Sequence, residues 1–340
     1  MFLTEDLVLK SFFFCFGAII GSFLNVCIVR MPHEKSIVWP GSHCVHCQAL
    51  IPWYDNIPLL SCLILRGQCR FCHKRISSRY FLVEFLTGSF FVFFYHYYHL
   101  NWVLLPYLVL LCGLIVATFI DIEHRIIPDE ISLGGIVVGL IFSVMIPGMH
   151  DFSLTSLWSG RIFMRILYGA LAFAALIEYL IDNKKKSEDQ FEDLVIMIMV
   201  GIAIGIELLL SFFLPSLQTR TPEIAAHLLS LDASLIGFLS GGGLIYAMGL
   251  LGNWLFKKES MGGGDVKLLA MIGSFLGWQM ALLTFFVAPF FGAVVGVIVK
   301  LRTKSSVIAY GPFLALASMI CLFWGKSIMD WLLFNSLWGY

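Results

Sequence analysis

Charge is the scarcest property of this chain. Only 13% of its 340 residues are Asp, Glu, Lys or Arg, against 59% hydrophobic residues, and 22 basic and 22 acidic side chains cancel to a formal net charge of zero. So little charge excludes an ordinary soluble domain. The zero balance gives no electrostatic case for an acidic partner or for nucleic acid, and no nucleic-acid partner is expected. Other absences narrow the class further. No strand–GxGxxG–helix unit marks a soluble nucleotide site, and the glycines before Asp265 lack P-loop spacing. Inverted internal repeats, expected of many transporters, are not evident. The first apolar run, Leu7 to Val29, follows Glu5 and Asp6 rather than a basic region and has no small-x-small cleavage site, so it reads as an uncleaved span and not as a secretory signal.

What the chain has in quantity is apolar runs, each near the roughly 20 residues a membrane crossing needs. Beyond Leu7–Val29 they cover about Tyr80–Tyr98, Trp102–Ile120, Ile131–Pro147, Ile162–Ile181, Leu194–Pro215, Ala233–Phe256, Gln279–Val299 and Gly311–Phe334, with a short piece, Val266–Leu276, ended by Gly277-Trp278. The expected fold is an all-α polytopic membrane protein of about 8–10 segments, embedded in a lipid bilayer, with one small cytoplasmic zinc-ribbon-like loop. Its parts are a first span (residues 1–29), a cysteine-bearing loop (30–79), helices carrying a first acid (80–150), an apparent insertion with an extra pair of spans (151–231) and helices carrying a second acid (232–340).

Lys and Arg mark the cytoplasmic side of a membrane protein. Loop 30–79 carries seven of them against Glu34 and Asp55, which sets the N-terminus outside. Counting spans from there returns the chain to the cytoplasm at Asp121. Lys184-Lys185-Lys186 and Lys257-Lys258 bring Asp265 to the same face, with a polar stretch around Gln218–Asp232 outside.

The acids carry the sharpest chemistry. Asp121 closes an apolar run, and Asp265 stands between Gly262-Gly263-Gly264 and Val266-Lys267. A carboxylate at the lip of a membrane segment is expensive and reads as functional. Two such acids brought together share a proton, so one activates water while the other polarises a carbonyl. The bland reading makes each an ordinary helix-end acid in the headgroup region. The glycines weigh against it at Asp265, because backbone without side chains admits another chain closely; Lys267 belongs to the same supporting loop. Asp129, after Pro128, suits a helix N-cap, while Glu123 and His124 are placed to tune Asp121 or simply to face solvent. Gly241-Gly242-Gly243 suits close helix contact.

Nine cysteines split into two groups. Cys15, Cys27, Cys62, Cys112 and Cys321 are isolated, mostly among apolar residues, where cysteine acts as a small hydrophobe. Cys44-x-x-Cys47 and Cys69-x-x-Cys72 are two knuckles separated by a linker of zinc-ribbon length. Four thiolates at that spacing suit tetrahedral structural zinc, with His43, His46 and His73 as substitutes that four cysteines make unnecessary. In a reducing compartment, zinc is favoured over disulfides or redox chemistry. The metal would staple a loop too small to bury a core of its own.

Taken in order, these blocks resemble the type IV prepilin peptidases, the bifunctional leader peptidase and N-methyltransferase family. The resemblance rests on Gly21-Ser22-Phe23-Leu24-Asn25-Val26, Arg30-Met31-Pro32, the two cysteine pairs around Pro52-Trp53-Tyr54-Asp55-Asn56-Ile57-Pro58, and Ile76-Ser77-Ser78-Arg79-Tyr80 with Glu84. It continues through Asp121–Asp129, Gly262–Asp265 and Tyr310-Gly311-Pro312-Phe313, covering about residues 1–145 and 233–320. It implies a bacterial inner-membrane aspartyl protease that removes the basic leader from prepilins and type II secretion pseudopilins at the cytoplasmic face, with Asp121 and Asp265 as its catalytic pair. It further implies methylation of the new N-terminal residue from S-adenosylmethionine, an activity that accompanies the cysteine loop. Glu123, Asp129 and Glu259 are candidates to attract the basic leader. Two other readings stand beside this one. A peptidase-only intramembrane enzyme of presenilin-like kind also carries Gly-x-Gly-Asp, and a transporter with a zinc-ribbon loop would use paired acids as a proton relay.

Overall fold

Apolar composition without strong sidedness makes helices that are buried or lipid-facing around their whole circumference, and the structure consists of such helices. A computed structural model describes residues 2–150, 159–169, 190–256, 262–303 and 309–337. Of the expected segment Ile162–Ile181, positions 170–181 lie outside these residues, and of Leu194–Pro215, positions 194–199 are described only as helical backbone. Among the described residues there are no strands, only two isolated antiparallel bridges. The chain divides into two compact units, Met1–Ile131 and Ser132–Tyr340.

The first unit begins with α1 (Phe2–Arg30), which packs along α3 (Ser78–Tyr98). Glycine permits this approach: a Cβ on Gly21 would lie 2.8 Å from the Cα of Glu84, and one on Gly88 2.9 Å from the carbonyl of Phe14. Buried Asn25 then bridges the pair, its Nδ2 donating to Tyr80 O at 3.1 Å. The Ser77 hydroxyl caps α3 by accepting from Arg79 N. Helix α4 (Leu104–His124) buries Leu110, Leu111, Leu114, Ala117 and Ile120. It ends where Arg125 takes a left-handed conformation (φ 57°) and returns its N–H to Asp121 O at 2.9 Å. A short helix, α2 (Leu60–Ile64), lies in the cysteine loop, and α5 (Asp129–Met145) begins at the unit boundary with Asp129 and Glu130 in its first turn, where a helix dipole favours acids.

The second unit holds most of α5, α6 (159–169), α7 (Gln190–Arg220), α8 (Pro222–Phe256), α9 (Gly263–Leu276), α10 (Trp278–Thr303) and α11 (Gly311–Leu337). Its spine is the α8–α9 contact. There the helix backbones almost touch: a Cβ on Gly237 would fall 2.0 Å from Gly273 O, and one on Gly273 2.1 Å from Gly237 O. Ser234 Oγ donates across the same contact to Ser274 O at 2.6 Å. The expected small-residue role of the later glycines is met, since Gly241 and Gly242 lie against Leu269 and Ala270 of α9.

Helix α8 begins well before the apolar run that starts at Ala233. Pro222 stands at its first position, where the missing N–H and fixed φ cost nothing, and only Thr221 separates it from α7. The polar residues 222–232 are therefore helical, and their polarity is used internally. Ser230 meets His150 at 3.2 Å, and Arg161 of α6 reaches buried Asp232 at 2.5 Å and buried Glu207 of α7 at 3.4 Å. The charges tie part of the apparent insertion to α8.

Six of the described helices are long and apolar enough to cross a membrane: Glu5–His33, Leu104–His124, Val200–Arg220, Pro222–Gly249, Trp278–Val299 and Gly311–Leu332. That is fewer than the eight to ten segments anticipated. Helix α3 has 21 residues but is rich in Tyr, His, Ser and Thr, α5 has 17 residues, and the 14 residues of α9 rise only about 21 Å.

Candidate active site

The cysteine loop is assembled from two copies of one turn. In the first, Cys44 N donates to Ala49 O (2.9 Å) and Gln48 N to Cys44 O (2.9 Å), around a left-handed Gln48 (φ 58°). In the second, Cys69 N donates to Lys74 O (3.0 Å) and His73 N to Cys69 O (3.0 Å), around a left-handed His73 (φ 54°). Each turn presents two sulfurs on one side. Together they place the Sγ atoms of Cys44, Cys47, Cys69 and Cys72 within 4.8 Å of one another, with Cys44···Cys72 at 3.9 Å and Cys47···Cys69 at 4.0 Å. A tetrahedral ion with metal–sulfur bonds of about 2.3 Å needs sulfurs roughly 3.8 Å apart, so the four can hold such a metal. Backbone N–H groups of Cys47 and His46 directed at the Cys44 sulfur hold that thiol down at about 6, favouring the thiolate a metal requires. His43 is engaged elsewhere, its Nδ1 meeting Gly41 O at 3.0 Å.

Two polar side chains, Arg30 and Glu84, fasten this loop to the helices that flank it, and a third, Arg70, ties its parts together. Arg30, buried at the end of α1, donates to Ser36 O, Pro40 O and Gly41 O at 2.7–3.2 Å. Glu84 on α3 accepts Leu59 N at 2.8 Å, where Leu59 is itself left-handed (φ 61°). Arg70 pairs with both oxygens of Asp55 (2.6 and 2.5 Å) and lies 5.5 Å over the Tyr54 ring, joining the second knuckle to the linker. The signal available in the sequence was a lone acid, Glu84, inside an apolar run.

Asp121 occupies the last turn of α4 and is buried, 6% exposed. Its neighbour Glu123 forms an ion pair with Arg79, and the His124 ring meets His33 edge-on at 5.6 Å. Glu123 is therefore already neutralised by a cation of its own unit, which weakens it as an attractor for a basic leader. Glu259 lies outside the described residues.

Asp265 is in the first turn of α9, half-buried, with its N–H donating to Gly262 O at 3.1 Å. Gly262 is the N-cap, so Gly263 and Gly264 open the helix and Lys267 follows in the next turn. Gly262 and Gly263 are exposed. A Cβ on Gly263 would meet nothing within 4 Å, and one on Gly262 would meet only Asp265 Oδ2, at 3.7 Å. The approach to this carboxylate is thus lined by bare backbone. The two acids belong to different units, Asp121 to the first and Asp265 to the second.

Comparison with known proteins divides the chain earlier, between residues 98 and 108, and so groups the two acids together. Residues 15–98 match the bacterial peptidase A24 N-terminal domain, which takes in α1, the cysteine loop and α3. Residues 108–219 and 219–297 match the type IV leader peptidase family, which takes in both acids. The chain belongs to the type IV leader peptidase family. Among its relatives is a "Prepilin leader peptidase/N-methyltransferase" of Aeromonas hydrophila, 30% identical over 96% of this chain and 94% of that protein. Proteins of the same name from Legionella pneumophila (26% identical, 93% of this chain and 91% of that one) and Myxococcus xanthus (32% identical, 86% of this chain) are also similar; the match spans 63% of the Myxococcus protein. No solved structure gives a significant match.

Proposed function

We infer that this chain is a bacterial inner-membrane prepilin leader peptidase that also methylates the new N-terminus. The observation that carries the reading is the match of both domains of the family, in order, over nearly the whole of residues 15–297. The substrates are prepilins and type II secretion pseudopilins, each a basic leader joined to an apolar helix that the bilayer accommodates. The N-terminus is outside, and loop 30–79 and both acids face the cytoplasm; α3, α5, α9 and the apolar run Ile162–Ile181 count as membrane segments beside the six longer helices.

Asp121 and Asp265 form the catalytic pair, sharing one proton at neutral pH because two adjacent carboxylates do not both ionise cheaply. The ionised member takes a proton from water, whose oxygen adds to the scissile carbonyl carbon while the carbonyl electron pair moves to oxygen. As that tetrahedral species collapses, the C–N bond breaks and the pair returns a proton to the departing amine. Bare backbone at Gly262 and Gly263 supports this reading, since it leaves an extended peptide room beside Asp265.

Zinc held by Cys44, Cys47, Cys69 and Cys72 would be structural, because four protein sulfurs leave no open coordination position. S-adenosylmethionine is the methyl donor that the second activity requires. The described residues contain no strand–glycine loop–helix unit to receive it.

The test is mass spectrometry of a synthetic prepilin incubated with purified protein in lipid, with and without S-adenosylmethionine. Wild type should remove the leader and add one cofactor-dependent methyl group. Asp121→Asn and Asp265→Asn should each slow leader removal by more than about 10³-fold, and the double variant should be no worse than either, as expected of groups acting as a unit. Cleavage surviving either substitution would remove the pair from the mechanism.

A further inference from the structure

The block Tyr310-Gly311-Pro312-Phe313 has no part in the chemistry above. Tyr310 immediately precedes α11, and its carbonyl accepts from Phe313 N (3.0 Å) and Leu314 N (3.2 Å), so the residue is pinned at the helix start. Helix α11 packs against α9, the helix whose first turn carries Asp265. The Tyr310 hydroxyl is buried and has no hydrogen-bond partner among the described residues. A buried O–H without an acceptor is destabilising, and native proteins keep few of them without a use. Its surroundings indicate one. Burial first, and then the negative charge of Asp265, push the phenol up to about 12, so at neutral pH it is a protonated donor in the electrostatic range of that acid. On the approach to Asp265, Gly262 and Gly263 leave room for a peptide backbone.

We propose that Tyr310 is a further catalytic residue, whose phenol donates a hydrogen bond to the carbonyl oxygen of the scissile peptide beside Asp265. The inference rests on the leader-peptidase reading. When water adds to the carbonyl carbon, the C=O pair moves to oxygen and the water proton goes to the carboxylate pair. The Tyr310 proton stays on the phenol throughout, and its hydrogen bond strengthens as the oxygen becomes an anion. A donor held ready and otherwise unused satisfies what transition-state stabilisation asks of a site: charge developed at that oxygen finds its partner already in place. The orphaned hydroxyl is then the resting-state cost of a bond that forms only with substrate.

Tyr310→Phe separates this from a packing role, because it removes the hydroxyl and keeps the ring. With full-length protein in lipid and a synthetic prepilin, kcat should fall about 10²-fold, the lower end of the effect of deleting one oxyanion donor, while KM stays within about twofold. Thermal stability should be unchanged or higher, since the substitution deletes an unpaired buried donor. Unaltered kcat in Tyr310→Phe would overturn the proposal. So would a loss of stability that parallels the loss of activity, because that is the signature of a structural hydroxyl. Tyr310→Leu should lose stability as well as kcat, which sets the scale for a packing defect. If wild type cleaves no prepilin, the peptidase reading falls and the proposal with it; if wild type cleaves and only Tyr310→Phe behaves as wild type, the proposal alone falls.

Discussion

At Asp55 a single ion pair joins the linker of the cysteine loop to its second knuckle. The side-chain hydrogen bonds from Arg70 hold the Asp55 carboxyl below its ordinary value of 3.8. A depressed carboxylate contributes stability above its unfolded pKa and loses that contribution as pH falls through the lower, folded one. The linker should therefore keep its conformation from neutral pH down to about 4 and loosen below it. Fluorine NMR of fluorotryptophan at Trp53, in the full-length protein, would follow this transition. Asp55→Asn should abolish it and leave the linker in its acid form at neutral pH. The Asp55–Arg70 pairing was not readable from the sequence: the residues are fifteen positions apart on either side of a turn-rich stretch, and nothing local aims one at the other. The four cysteines were readable, because paired CxxC spacing builds each knuckle locally and leaves only the docking of two like turns to the fold.

At the scale of elements, the α8–α9 contact positions the helix that carries Asp265. Gly273→Ala would put a methyl group 2.1 Å from Gly237 O, a distance that backbone atoms cannot relieve by rotation. It should cost about 1–3 kcal/mol or more in stability and lower leader removal with it, because α9 moves as a body. Gly205→Ala is the matched control, lying inside α7 with nothing within 4 Å of its would-be Cβ; it should be neutral or stabilising by about 0.5–1 kcal/mol. Thermal melts and cleavage rates measured on the two variants together check both statements. The small-residue role of Gly241-Gly242-Gly243 was legible in composition, since adjacent glycines in an apolar run have few other uses. The extent of α8 was not. Polar residues 222–232 read as a connection because hydropathy registers side chains, while Pro222 at the first helical position and the Arg161–Asp232 pair are what let that stretch continue the helix.

For the whole molecule, the charge distribution makes the testable statement. Reporter fusions should be active outside at the N-terminus and inside within loop 30–79 and after Phe256, so that Asp121 and Asp265 share the cytoplasmic face. An external signal from the 257–261 connection would put the acids on opposite faces and exclude a shared proton. The sequence by itself determined the membrane class, the helical composition, the metal-ready cysteines and the family, because each is written in local spacing or in composition: hydropathy over a span, two residues between thiols, an acid after glycines. Only the tertiary structure decided which polar groups compensate one another, namely Arg30 against the loop carbonyls, Glu84 against Leu59 N, Arg79 against Glu123 and Arg161 against Asp232 and Glu207. It alone found the unpartnered hydroxyl of Tyr310. The reason is physical: a buried polar group must find its partner in space, and in a chain with so little charge the partner is generally distant in sequence.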